Sequence, residues 1–165
     1  MRHELYLKAS FILILCAWTI IRLYFKVKAG LLHERIFPRT EKVSFIVLRV
    51  VLGIPLLVFI FIHIFLPGHA SWSKMHLHPL MRWLGVLAAV LALISLVWVH
   101  RALGRNFHTS VVIKKDHQLI KKGPYHLFRH PMYSTYVVLF ISLFLVSENF
   151  VIGISGLAII LMMVN

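Results

Sequence analysis

Five apolar runs, separated by basic segments, set the pattern of the chain. They fall at about residues 5–25, 43–66, 80–99, 131–147 and 150–164. Met1 to Ser10 reads as a short polar lead, with Leu5 and Tyr6 extending the first run, Phe11 to Phe25, backwards. That run is long and no small-x-small cleavage site follows it, so it reads as a retained span and not a signal peptide. The second run is long enough to cross a hydrocarbon core of about 30 Å. Gly53 and Pro55 within it predict a kink. The third run carries Gly85, Ala88, Ala89, Ala92 and Ser95, small residues that let helices approach closely in lipid. The last two runs fall short of the roughly 20 residues a full crossing needs, so they predict a tilted or shallow hairpin. Glu148-Asn149 is its tight turn. The expected fold is all-α: one polytopic membrane helical bundle over residues 1–165, with about five transmembrane helices.

Composition agrees with the pattern. The chain is 60% hydrophobic and 14% charged, against about 25% charged in an ordinary soluble domain. A net charge of +13 could suggest nucleic acid, but the cations gather between the apolar runs, so no nucleic-acid partner is expected. Seven of the 18 lysines and arginines flank the first loop: Arg22, Lys26, Lys28, Arg35, Arg39, Lys42 and Arg49. Seven more, Arg101, Arg105, Lys114, Lys115, Lys121, Lys122 and Arg129, belong to the third loop. Only Arg2, Lys8, Lys74 and Arg82 lie on the other side. Positive charge marks the cytoplasmic face, so the long polar loop between the third and fourth spans should be cytoplasmic. Arg22, Lys26 and Arg49 read as snorkelling cations. The lone Cys16 sits inside the first run and implies neither an intrachain disulfide nor a metal site.

One stretch departs from this pattern: Gly123-Pro124-Tyr125-His126-Leu127-Phe128-Arg129-His130-Pro131-Met132-Tyr133. Gly123-Pro124 is a turn pair. Pro131 disfavours helix at His130 and suits the first position of a new one. The first amides of that helix lack intrahelical partners and its dipole favours negative charge, which makes a place for a carboxylate or phosphate. Arg129 adds a planar cationic fork. The plainer reading is an interfacial loop with snorkelling cations and a tyrosine belt.

Gly-Pro-Tyr, a spacer, then Arg-His-Pro-x-Tyr resembles the isoprenylcysteine carboxyl methyltransferase family, integral membrane enzymes that use S-adenosylmethionine. Ala102-Leu103-Gly104-Arg105-Asn106-Phe107 and Lys115-Asp116-His117-Gln118-Leu119-Ile120 continue the likeness, which runs from about Ala102 to Tyr133. It implies methyl transfer to a lipophilic acceptor, a prenylcysteine carboxylate or a related small lipid, with S-adenosylhomocysteine as product. It implies a cofactor loop over residues 101–133. The implied cofactor contacts are His117, Gln118, Leu119, Ile120, Tyr125, Arg129, His130, Pro131 and Met132, with Tyr133 completing the motif. Arg129 and the helix start would take the cofactor's carboxylate. Tyr125 and Tyr133 suit its sulfonium. An extended Gln118-Leu119-Ile120 would slot its adenine. No acid–base residue is singled out, because such a reaction asks mainly for alignment and exclusion of water. Family members also carry an arginine and a pair of glutamates after the last span. The residues read here stop at Asn165, where that segment would begin, so the expectation is a site without it.

Two other readings stand beside this one. His126 and His130 have the H-x-x-x-H spacing of di-iron membrane hydroxylases. Pro131 interrupts a continuous helix there, no H-x-x-H-H box exists, and His76 and His78 should lie on the opposite side, so no metal is expected. The other reading is a non-catalytic membrane protein or inactive fragment. Its basic loops would grip anionic lipid at about 1 kcal/mol per residue.

Overall fold

The computed structural model describes residues 2–28, 43–103 and 130–164. Among them five helices form: α1, Arg2–Lys28; α2, Val43–Phe65; α3, Pro79–Leu103; α4, Pro131–Ser147; and α5, Phe150–Val164. A single 3₁₀ turn, Ser71–Ser73, lies between α2 and α3. Each helix coincides with one apolar run. Two, α1 and α3, are long and apolar enough to cross a bilayer by length and composition. The 17 residues of α4 and 15 of α5 make the shorter hairpin that the pattern predicts.

Two boundaries differ from the sequence reading. The polar lead is not separate, because α1 is already helical at Arg2. Leu7, Phe11 and Ile14 repeat at helical spacing and are buried, so packing carries the helix back through the lead. At the other side, α3 continues past the expected end of its run at residue 99. His100 to Leu103 complete it, while α4 opens at Pro131 as the sequence predicts. His100 is buried against the Phe25 ring, with centroids 4.9 Å apart, and its Nδ1 lies 2.9 Å from the Leu96 carbonyl. The second run forms one helix that includes Pro55.

The core joins Phe11 and Ile14 of α1, Leu56 of α2, Ala89 and Leu96 of α3, Leu143 of α4 and Ile152 of α5. The most extensive pairing is α3 against α4. A Cβ at Gly85 would stand 2.7 Å from Leu145 Cβ and 3.2 Å from the Ser142 carbonyl oxygen. The small-residue stripe is therefore a packing device: Gly85, Ala89 and Ala92 are all buried. In the hairpin, Gly156 lies flat against the Phe140 ring and Gly153 against Phe144. Large apolar side chains such as Leu13, Leu57, Leu91 and Ile94 point outward and are more than half exposed. A surface of that kind suits an apolar surrounding.

At the end of the bundle where α4 turns into α5, polar groups are tied together. Glu148 closes α4 with φ 57°, the left-handed conformation that often ends a helix. Buried Arg82, in the first turn of α3, forms a two-pronged pair with Glu4 (the second contact is 3.1 Å). It also lies 3.4 Å from Glu148 and donates to the Val146 carbonyl at 3.3 and 3.4 Å. The Met75 and Leu77 amides donate to the Glu148 carbonyl and carboxylate at 2.7 and 3.1 Å. Asn149 donates to Ser73 Oγ at 2.8 Å, while its own Oδ1 accepts from Val151 and Ile152 and caps α5. One cluster thus fastens α1, α3, the turn region and the hairpin.

Candidate functional site

The opposite end of the bundle holds the motif residues. His130 has φ −133° and ψ 66°, outside the helical range, and Pro131 takes the first helical position of α4. This is the break that the His-Pro pair predicts. The Ser134 amide donates to the His130 carbonyl at 3.2 Å, closing the first turn. Among the described residues no side chain caps the helix at His130, so its dipole and first-turn amides are a local source of positive potential. His130 is exposed and Pro131 is buried, while Met132 and Tyr133 are half-buried against the core. The His130 and Tyr133 rings are 5.8 Å apart.

Four of the ten proposed cofactor contacts are therefore placed together: His130, Pro131, Met132 and Tyr133. The other six, His117, Gln118, Leu119, Ile120, Tyr125 and Arg129, lie outside the described residues, as does His126. Among the described residues no three His, Cys, Asp or Glu side chains gather in a metal-binding group.

Two features here were not legible in the chain. Arg22 does not simply reach outward along α1. Its guanidinium lies over the ring of Tyr136, 5.6 Å from the centroid. Tyr136 is buried and is also met edge-on by Trp18 at 6.3 Å. It stands one turn beyond Tyr133 on α4, so a fixed cation from α1 approaches the motif helix. The second feature is a cavity of about 270 Å³ between α3 and α4, lined in part by Ser95 and Trp98 and by Pro131, Ser134 and Thr135. The spacing of 131, 134, 135 and 138 places one face of α4 on it, a periodicity visible in the sequence but not the partner it faces.

Comparison with known proteins bears on the same region. The family model described as "Isoprenylcysteine carboxyl methyltransferase (ICMT) family" matches residues 83–165. The chain belongs to this family. The match takes in nearly all of α3, the motif loop and the α4–α5 hairpin, the part of the ICMT domain that brings Trp98 and Pro131 to one cavity. Among curated proteins, "Uncharacterized protein YpbQ" of Bacillus subtilis is 31% identical over 85 residues, 51% of this chain and 51% of that protein. "Cobalt-zinc-cadmium resistance protein CzcN" of Cupriavidus metallidurans is 32% identical over 66 residues, 40% of this chain and 27% of that protein. The chain thus spans about half the length of the first relative and about a quarter of the second.

Proposed function

We propose that this ICMT-family chain transfers a methyl group from S-adenosylmethionine to a lipophilic acceptor, most simply a carboxylate carried by a prenylcysteine or a related small lipid. The observation that carries the reading is the His130-Pro131 junction in a chain of this family. A helix start that no described side chain caps, beside aromatic rings, fits one end of the cofactor. Arg129 and the first turn of α4 would hold its carboxylate. Tyr125 and Tyr133 would face its sulfonium. His117, Gln118, Leu119 and Ile120 would border its adenine, and His130, Pro131 and Met132 would form the floor. Bound there, the cofactor supplies an activated methyl whose sulfur leaves as a neutral thioether. The chain's part is to align the acceptor's oxygen behind that methyl and to keep water away. A carboxylate needs no base to attack.

The chain would be a multi-pass membrane protein, with the cofactor loop in the cytoplasm and the Arg82 cluster on the far side. The outward-facing leucines support the membrane setting, and the positive charge of the 114–122 segment supports the orientation. Cysteine tags within 114–122 should resist a membrane-impermeant label in intact cells, and tags within 69–74 should react. The reverse pattern would overturn the orientation. Titration calorimetry of purified protein with S-adenosylhomocysteine tests the cofactor site directly. Saturable binding is expected, and its absence would remove the methyltransferase reading.

A further inference from the structure

Helix α1 lies outside residues 83–165, the segment that matches the family, yet it reaches the motif end of the bundle. Trp18, Arg22 and Phe25 recur at helical spacing and so share one face of α1. Each meets a ring of a neighbouring helix. Trp18 meets Tyr136 and Phe140 edge-on, Arg22 lies over Tyr136, and Phe25 packs on His100. On α4, the spacing puts Met132, Tyr133 and Tyr136 on one face. The cavity against α3 takes the other face, at Pro131, Ser134 and Thr135. Tyr136 stands one turn beyond Tyr133, about 4.5 Å along the axis. The Arg22 guanidinium therefore covers the α4 face that carries two of the proposed cofactor contacts.

The charge on Arg22 has no counterpart nearby. Among the described residues the carboxylates are Glu4 and Glu148, and both lie with Arg82 at the hairpin end. Lys28 ends α1 about 9 Å further along the axis, and Ile20, Ile21 and Leu23 surround Arg22 in sequence. A cation at such a depth is costly and marks a functional position unless something holds it. The buried Tyr136 ring holds one face of the guanidinium. The side chain is otherwise exposed, so its in-plane N–H donors can take an anion. We infer that Arg22 binds the carboxylate of the methyl acceptor and selects an anionic acceptor over a neutral one. The inference rests on the methyl-transfer reading. Arg129 and the start of α4 are given there to the cofactor's carboxylate, so a second anion beside Tyr133 needs a cation of its own. A guanidinium gripping both carboxylate oxygens leaves each a lone pair, and one of these attacks. The new O–CH3 bond forms as the S–CH3 bond breaks, the electron pair stays on sulfur, and no proton moves. The ester is uncharged, so it loses its ion pair with Arg22 and leaves more readily.

The test uses the full protein in phosphatidylcholine nanodiscs saturated with S-adenosylhomocysteine. Binding of two tritiated pairs is measured by scintillation proximity: N-acetyl-S-farnesylcysteine and its carboxamide, and palmitate and palmitamide. In each pair the hydrocarbon is the same and only the charge differs. At least one acid should bind about tenfold more tightly than its amide. Arg22→Gln should weaken that acid about tenfold and change the amide less than about twofold. Arg22→Lys keeps the charge without the planar fork and should restore part of the preference. Lys26→Gln, one turn along α1, should leave the preference intact, and affinity for S-adenosylhomocysteine should hold in all three variants. Equal binding of acid and amide by the parent would overturn the inference, as would no binding of either pair. So would a preference that survives Arg22→Gln, or one that Lys26→Gln removes equally, which would make it a general effect of surface charge. If nanodiscs of phosphatidylglycerol abolish the preference, Arg22 belongs to lipid headgroups and the inference falls. Product binding without an acid preference would sink the role of Arg22 and leave the methyltransferase reading intact. An acid preference that depends on Arg22, without product binding, would sink that reading and leave Arg22 as a carboxylate site.

Discussion

The two ends of the bundle are built on opposite principles. At the hairpin end, charge is buried and satisfied: Arg82 meets two carboxylates and a carbonyl, and Asn149 joins one helix start to the Ser71–Ser73 turn. At the motif end, no described side chain caps the helix start, His130 is exposed, and a cleft lies between the walls of α3 and α4. The contrast divides stability from function. A bundle that binds its ligand at the motif end, as proposed, gains from fastening the other, because binding elements are drawn from the less stable parts of a fold. Substitutions at the hairpin end should therefore move stability and spare binding, and those at the motif end should do the reverse.

The largest effect is expected at Arg82. Its side chain is 7% exposed and Glu148 is 14% exposed, whereas Glu4 is 66% exposed. Arg82→Ala leaves a buried carboxylate without its cation and should cost about 3–5 kcal/mol, read as a lower melting temperature in detergent. Glu4→Gln, which removes the solvent-facing partner, should cost less than about 1 kcal/mol. Equal losses in the two variants would show that the Glu148 and Val146 contacts contribute little.

Next comes Arg129, where the expected loss is in binding. Arg129→Ala should weaken S-adenosylhomocysteine affinity by about 1.5–3 kcal/mol, roughly ten- to a hundredfold, by removing a charge-assisted contact. Arg129→Lys keeps the charge without the planar fork and should recover only part of it. Melting should stay near that of the parent. A lower melting temperature with unchanged affinity would move Arg129 from the cofactor to the fold.

Asn149 should give the smallest effect, on the stability side of the comparison. Asn149→Ala removes the cap on α5 and the contact to Ser73, and about 1 kcal/mol is the usual cost of such a cap. Asn149→Asp keeps the cap but replaces the amide donor to Ser73. If the Asp variant melts with the parent, the helix cap is the part of the cluster that counts. If it melts with the Ala variant, the link to Ser73 is.

Much of the architecture can be read from the chain because its physics is local. Pro131 sets the start of α4 through its own ring, whatever packs nearby. Glu148-Asn149 separates two apolar runs short enough to predict a tilted or shallow hairpin, and the turn falls there. Gly85, Ala89 and Ala92 announce a close helix neighbour by size alone. The ordered motif from Gly104 to Tyr133 carries the family likeness, and the family match over 83–165 agrees with it.

Other features depend on which helices become neighbours, and no periodicity states that. Glu4 and Arg82 are 78 positions apart, and nothing in the pattern of apolar runs links them. Their pairing exists because α1 and α3 pack side by side. Arg22 reads as a cation seeking water until α4 brings Tyr136 beneath it. Ser95 reads as a small residue for packing until α3 and α4 leave a cleft between them, with Ser134 on its other wall. Helix formation depends on residues within a turn or two, so sequence determines it. The buried charge cluster, the cation over Tyr136 and the cleft are each made by side chains from different helices, so they arise only when the bundle closes.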